Sequence, residues 1–79
     1  MGYKKYKNTV PKLDLHGIKH KDVELMVENF VIFSDKLPLQ IVTGHSPKMI
    51  EIVVDTLEYH GYKYTIGDFY NKGYISVIS

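Results

Sequence analysis

The sequence predicts a two-layer sandwich of the α/β or α+β class, with the element order β-α-β-α-β-β and two helices on a four-stranded mixed sheet. Two observations predict it. A short apolar segment ends at a glycine and is followed by helical periodicity, and this happens twice; two further segments then alternate with period two across a polar turn. A strand-helix-strand unit favours parallel strands with a right-handed crossover, whereas a short turn favours an antiparallel hairpin. The 79 residues suit one domain.

The first predicted strand covers residues 12–16, where apolar and polar side chains alternate. Leu13 and Leu15 should face one side of the sheet, and Asp14 and His16 the other.

The first helix is predicted from about residue 19 to residue 34, since apolar residues recur at i, i+3, i+4, i+7 and i+8. Its buried face should consist of Val23, Met26, Val27, Phe30 and Val31. After a link over residues 35–38, the β-branched and apolar segment 39–43 suits a buried strand.

A second helix should begin at Ser46 and Pro47, because serine caps helices and proline is favoured at the first helical position. Its apolar face should consist of Met49, Ile50, Val53, Val54 and Leu57. Gly61 is a predicted C-terminal stop. Segments 62–66 and 74–78 should form two more strands, joined by a turn over residues 68–73, and most tyrosines of this part should pack on the sheet with their hydroxyls at its edge.

The charge distribution divides the chain into a basic arm over residues 1–11 and a domain over residues 12–79. Residues 1–12 carry four lysines and no acid, whereas residues 13–79 carry six lysines and nine acids. Arginine is absent from the chain, which excludes bidentate guanidinium contacts to phosphate or guanine. We therefore expect the domain without its arm to bind nucleic acid weakly.

The chain contains no cysteine, which excludes a disulfide framework, a thiolate nucleophile and a cysteine metal ligand. We expect a reducing, cytoplasmic compartment. The apolar stretches are too short to span a bilayer, and residues 1–5 lack the apolar core of a signal peptide.

Two short motifs carry a resemblance to the Smr (small MutS-related) domain family. The chain contains Leu-Asp-Leu-His-Gly at residues 13–17 and Thr-Gly-His-Ser at residues 43–46. The family's signature is a Leu-Asp-Leu-His-Gly stretch followed by Thr-Gly-X-Gly, so the first motif is complete and the second has Ser46 in place of glycine. Residues 72–77 are similar to the family's glycine-led last strand. The resemblance covers residues 12–78.

The resemblance implies a β-α-β-α-β-β fold similar to the C-terminal domain of a bacterial translation initiation factor. It also implies DNA or RNA binding, and several family members nick DNA or cleave RNA. An endonuclease acting by hydrolysis or transesterification of a phosphodiester is therefore one hypothesis. The alternative is a non-catalytic nucleic-acid or protein-interaction module that keeps the fold without turnover.

Asp14 and His16 are the predicted catalytic residues. They lie two positions apart and so share one face of a strand. A carboxylate can fix the tautomer of a neighbouring imidazole and make it a general base or acid. The alternative is that Asp14 caps the following turn and His16 packs against the second loop.

The second motif precedes a helix, and backbone N–H groups at a helix N-terminus bind anions. Ser46 can cap this helix or contact a phosphate, and it would fit poorly where the family's glycine has a positive φ. The alternative is a simple turn and cap. The predicted nucleic-acid or phosphate-binding residues are Gly17, Thr43, Gly44, His45, Ser46, Lys48, Lys4, Lys5 and Lys7.

In the arm, Tyr3 and Tyr6 alternate with lysines, a combination that suits phosphate attraction and base stacking. The alternative is a tail that only aids solubility.

We predict no required cofactor, although Mg²⁺ or Mn²⁺ bridging a phosphate is compatible with the site. His20 and His60 are less informative, and no histidine spacing typical of a metal site is present. The expected partners are DNA or RNA, with a protein partner as a further option and no membrane.

Overall fold

The computed structural model describes residues 10–79 and contains the six predicted elements in the predicted order. The elements are β1 Lys12–Asp14, α1 His20–Phe33, β2 Leu39–Val42, α2 Pro47–Tyr59, β3 Tyr64–Ile66 and β4 Tyr74–Val77. They form one four-stranded mixed sheet with two helices, which confirms the predicted fold class. No helix within the described residues is long and apolar enough to cross a membrane.

The sheet has the strand order β1-β2-β4-β3. β1 runs parallel to β2, as the intervening helix predicts, and β3 and β4 form the predicted antiparallel pair. β4 also pairs with β2 in antiparallel orientation and therefore lies inside the sheet. The ends of β1, β2 and β3 and the start of β4 consequently meet at one edge of the sheet.

The core lies between the helices and one face of the sheet. Its fully or largely buried members are Leu15, Val23, Val27, Val31, Leu39, Ile41, Met49, Val53, Leu57, Ile75 and Val77. The remaining predicted helix residues, Met26, Phe30, Ile50 and Val54, are partly buried against this core. The two strand positions Asp14 and Lys12 point to the opposite, exposed face, as the period-two pattern predicts.

Both ends of α2 follow the predicted capping chemistry. Pro47 is at its first turn, and the side chain of Ser46 accepts a hydrogen bond from the backbone N–H of Met49 at 3.2 Å. At the other end, Gly61 N–H donates to Glu58 O at 3.1 Å and Tyr62 N–H donates to Leu57 O at 2.9 Å. This pair of bonds is a Schellman motif, which ends the helix.

All four strands are shorter than predicted: β2 and β4 each end one residue early, and β1 and β3 each lack two predicted residues, whose backbone groups make other hydrogen bonds. β1 ends at Asp14, because the backbone N–H of His16 donates to the Asp14 carboxylate at 2.9 Å. The N–H of Leu15 still donates to Val42 O on β2. β3 begins at Tyr64: the N–H of Tyr62 closes α2, and Lys63 bonds to the backbone of Ile78 and Ser79, beyond the end of β4.

The tyrosines divide into two groups. Tyr62, Tyr64 and Tyr74 are half-buried and their hydroxyls bond to Val31 O, Glu58 and Asp68 respectively, as predicted for most tyrosines of this part. Tyr59 and Tyr70 are 84% and 92% exposed, so for these two the packing prediction is wrong.

Of the predicted arm, the structure describes only Val10 and Pro11. Pro11 O accepts the N–H of Gln40 at 2.9 Å, so the described contacts with the sheet begin one residue before Lys12. The predicted arm residues Tyr3, Lys4, Lys5, Tyr6 and Lys7 lie outside the described residues.

Candidate functional site

Three loops meet at the edge of the sheet where β1, β2 and β3 end and β4 begins. We call this region the site edge; it consists of residues 15–19 after β1, residues 43–46 after β2 and residues 67–73 before β4. The first two loops carry the two sequence motifs, and the third carries a turn that the sequence pattern indicates only as a connection.

Asp14 and His16 form a direct hydrogen bond at the site edge. Nδ1 of His16 lies 2.6 Å from Oδ1 of Asp14, and the backbone N–H of His16 donates to the same oxygen at 2.9 Å. The two side chains are 66% and 67% exposed, so a polymeric ligand can reach both. An exposed pair of this kind adds little to stability, and its main consequence is the orientation of the imidazole.

The protonation of the pair follows from its hydrogen bonds. The backbone N–H of His16, and secondly its ring, hold the pKa of the Asp14 carboxyl below its usual value, so at neutral pH the carboxylate is ionised and only accepts hydrogen bonds. In the tautomer that donates to this carboxylate, Nδ1 of His16 carries the proton and Nε2 carries the lone pair. A histidine held in this tautomer can take a proton from a nucleophile through Nε2.

Gly44 brings the second motif against the His16 ring. Its φ is +69°, a conformation that favours glycine. A β-carbon on Gly44 would lie 3.3 Å from Nε2 of His16. The two motifs that are separated in sequence are therefore neighbours in the fold.

The loop before β4 holds the second motif in place. The N–H groups of Thr43 and Gly44 both donate to Gly73 O, at 3.0 and 2.9 Å. The Thr43 hydroxyl donates to Gly44 O at 2.8 Å, and the side chain is 4% exposed. The polar groups of Thr43 are thus used within the fold, and its place among the phosphate-binding residues stays a prediction.

His45 and Ser46 differ from Thr43 in what they leave exposed. Within residues 10–79, the N–H groups of His45 and Ser46 donate to no backbone acceptor, and the His45 side chain is exposed. Ser46 has a φ of −76°, so its backbone is not strained. It caps α2 through its oxygen as an acceptor, and its hydroxyl proton remains for a further acceptor.

Of the other predicted residues, Gly17 follows His16 directly and is exposed. Lys48 lies in the first turn of α2, where its Nζ is 3.5 Å from Oε1 of Glu51 and both side chains are largely exposed. The remaining histidines are not bonded to the pair: His20 begins α1, and His60 caps the far end of α2 and bonds to Glu28 at 2.8 Å.

Sequence reasoning missed the contribution of the third loop. Gly73 is buried, and a β-carbon there would lie 3.4 Å from Cε1 of His45 and 3.5 Å from Cα of Gly44. A glycine directly before a predicted strand indicates that another backbone segment approaches closely. The partner of Gly73 is Thr43, thirty positions earlier in the chain, and the sequence pattern does not identify it.

Among the described residues, no group of three or more histidine, aspartate or glutamate side chains is arranged to hold a metal ion. Comparison of the chain with family models, curated proteins and solved structures finds no match.

Proposed function

We propose that this chain is an Smr-like nucleic-acid-binding domain that cleaves phosphodiester bonds at the site edge. The observation that carries the proposal is the exposed Asp14–His16 pair, whose Nε2 lies against Gly44 of the second motif. The resemblance of both motifs to the Smr family supports the same function.

In the proposed reaction, Nε2 of His16 takes a proton from the attacking hydroxyl, which belongs to water or to an RNA 2′-hydroxyl. The hydroxyl oxygen forms a bond to phosphorus, and the bond from phosphorus to the leaving ribose oxygen breaks. The Asp14 carboxylate stabilises the imidazolium, which then returns a proton to the leaving oxygen. Asp14 thereby acts through His16.

The second motif supplies the groups that would face the phosphate. The N–H groups of His45 and Ser46, the Ser46 hydroxyl and the first turn of α2 are donors or partial positive charges at the same edge. Donors held in place before the reaction stabilise the charge that develops on phosphate oxygens. Gly44 allows close approach of a ligand to the backbone, while its own N–H is used by Gly73.

A divalent ion is not required by this proposal. At the pair, Asp14 supplies one carboxylate, and its Oδ1 already accepts two hydrogen bonds. Mg²⁺ usually combines one or two carboxylates with waters and substrate phosphate oxygens. An ion would therefore depend on the substrate for most of its ligands, and Mg²⁺ or Mn²⁺ would enter with the nucleic acid.

The charge balance limits the expected affinity. Residues 13–79 carry six lysines against nine acids, and Lys48 already lies near Glu51. Binding should therefore be weak and should decrease with salt with a shallow slope, because few phosphates are neutralised. In the full chain, the salt dependence of binding would be made steeper by Lys4, Lys5 and Lys7.

A specific observation favours a second candidate, a protein-interaction module. On α1, Leu25, Ile32 and Phe33 are 62%, 55% and 82% exposed, and exposed apolar side chains in proximity are typical of interaction surfaces. Such a module would show no salt-dependent binding to DNA or RNA.

The test is incubation of metal-stripped, nuclease-free protein with labelled single-stranded RNA, single-stranded DNA and supercoiled plasmid, with and without Mg²⁺ or Mn²⁺. His16→Ala removes the proposed base. His20→Ala is the matched control, since this exposed histidine lies at the start of α1 and outside the pair.

The proposal predicts cleavage by the wild type and by His20→Ala, and loss of cleavage in His16→Ala. Equal traces of cleavage in all three proteins indicate contamination and contradict catalysis. Salt-dependent binding without cleavage would then leave the non-catalytic module at the same loops.

A further inference from the structure

The loop between β3 and β4 displays two aromatic side chains. Phe69 and Tyr70 are 87% and 92% exposed, and their ring centroids are 5.1 Å apart in an edge-to-face arrangement. Large aromatic side chains normally dominate cores and interfaces because of the apolar area they bury. Here neither ring contributes to the core, and both are exposed within residues 10–79.

Hydrogen bonds define the conformation of this loop. Oδ1 of Asp68 accepts the N–H groups of Tyr70 and Asn71 at 2.7 Å each, and Oδ2 accepts the Tyr74 hydroxyl at 3.0 Å. The backbone N–H of Asp68 also donates to Asn71 O at 2.9 Å. These bonds hold the pKa of the Asp68 carboxyl below its usual value, with the Asn71 N–H as the largest cause.

Gly67 closes the loop tightly. Its φ is +61°, and a β-carbon there would clash with the backbone oxygen of Asn71. No other residue fits without moving the backbone. The rings of Phe69 and Tyr70 are therefore presented by a fixed turn, which lowers the entropy that a ligand must overcome on binding.

The loop joins the candidate site directly. Its last residue, Gly73, accepts both N–H groups of Thr43 and Gly44 and adjoins the His45 ring. Tyr70 is three residues before Gly73, so their Cα atoms are at most about 10 Å apart even in an extended chain. A nucleotide bound through its phosphate at the second motif would have a neighbouring base within reach of the rings.

We propose that Phe69 and Tyr70 stack on unpaired bases of single-stranded nucleic acid whose backbone lies at the Asp14–His16 pair. This inference rests on the proposed function and adds the substrate class to it. Bases in a duplex stack on one another and hide their faces, whereas the unpaired bases of a single strand are free to stack on aromatic side chains. Because the domain has few uncompensated cations, stacking supplies the affinity that charge does not.

Lys72 supports this assignment within the same loop. It is exposed two residues after Tyr70, and its charge offsets that of Asp68 in the same loop, so the loop does not repel a phosphate. Aromatic and basic residues in combination are the chemistry by which proteins bind single strands with little sequence preference. RNA and DNA both offer base faces, so the experiment includes both.

The test measures the affinity of the full chain for fluorescent single-stranded RNA, single-stranded DNA and duplex DNA at several salt concentrations. Phe69→Ala and Tyr70→Ala should each weaken single-strand binding about tenfold, since each removes one ring on which a base stacks. The dependence of log affinity on log salt should keep its slope, because no charge is removed. Tyr70→Phe, which keeps the ring, should bind like the wild type.

Tyr59→Ala is the matched control. Tyr59 is 84% exposed but lies at the C-terminal end of α2, and α2 begins at the site edge and runs away from it. Its removal should leave affinity unchanged. Since all three rings are largely exposed, the variants should also keep the wild-type melting temperature.

Each outcome separates the inference from the proposed function. If Phe69→Ala and Tyr70→Ala bind single strands as tightly as the wild type, the stacking inference alone is overturned. The same conclusion follows if these substitutions weaken duplex and single-strand binding equally. Absence of salt-dependent binding by the wild type to all three nucleic acids overturns the proposed function and the inference together.

Discussion

The imidazole of His16 lies against the backbone of Gly44, so that a β-carbon on Gly44 would be 3.3 Å from Nε2. This contact joins the two sequence motifs into one site. It also places the nitrogen that we assign as the base beside the loop that we propose for the phosphate.

The first prediction concerns this contact. Gly44→Ala places an L side chain at a φ of +69°, which should destabilise the fold by roughly 1–2 kcal/mol, and its methyl group should displace the His16 ring. Gly61→Ala is the control, because φ there is +79°, no atom lies within 4 Å of the added carbon, and the residue lies beyond the far end of α2. Urea denaturation should show similar losses, whereas only Gly44→Ala should shift the His16 ring resonances in NMR spectra. Unchanged resonances in Gly44→Ala would contradict the contact.

The second prediction concerns Ser46. Its oxygen accepts the Met49 N–H at the start of α2, so Ser46→Ala should lower the free energy of unfolding by about 1 kcal/mol, whereas Ser46→Gly should cost only a few tenths. Chemical denaturation measures both. A loss in Ser46→Gly as large as that in Ser46→Ala would show that the cap is not the main role of this serine.

The third prediction is a pH dependence in the loop before β4. Backbone N–H groups and the Tyr74 hydroxyl lower the pKa of Asp68 in the folded chain. A carboxyl with a lowered pKa in the folded state stabilises the fold above its unfolded value of about 3.9, and this contribution is lost as the pH falls through the folded value.

In Asp68→Asn, the difference in unfolding free energy between neutral and acidic pH should therefore be smaller than in the wild type. Asp35→Asn is the control, because this exposed residue follows α1 and leaves the Asp68 bonds intact. An acid sensitivity that Asp68→Asn leaves unaltered would contradict the hydrogen bonds described for the loop.

The fourth prediction concerns the core. Leu57 on α2 is fully buried, so Leu57→Ala should destabilise the domain by ~2–5 kcal/mol. This is a large share of the stability expected for so small a chain. Leu25→Ala on α1, where the side chain is 62% exposed, should change stability by less than about 0.5 kcal/mol. Thermal or urea unfolding measures the stability of both variants. Similar losses of stability would contradict the burial of Leu57 in the core.

Much of the fold follows from local patterns. Helical periodicity identifies the apolar faces of both helices, and Ser46, Pro47 and Gly61 mark the ends of α2 because their capping chemistry is local. Strand ends are less predictable, since the Asp14 carboxylate and the Tyr62 N–H make bonds that only the folded chain reveals. The insertion of β4 between β2 and β3 depends on long-range pairing and was not predicted.

The candidate site likewise combines local features that the sequence predicts with long-range contacts that it does not predict. The i, i+2 spacing of Asp14 and His16 predicts their shared face, and their hydrogen bond is a local consequence of it. The engagement of Thr43 and Gly44 by Gly73 is not local, so no pattern around residue 43 reveals it. The sequence pattern places Phe69 and Tyr70 in a turn, and composition does not show whether aromatic side chains in a turn pack inward or remain exposed.

Amide NMR spectra recorded during titration with a short single-stranded oligonucleotide test most directly whether the site edge binds nucleic acid. Binding there predicts amide shifts at residues 16–17, 44–46, 48 and 69–73 that weaken as salt is added. Absence of salt-dependent shifts, or shifts confined to α1 around Leu25 and Ile32, would contradict it and favour the protein-interaction module.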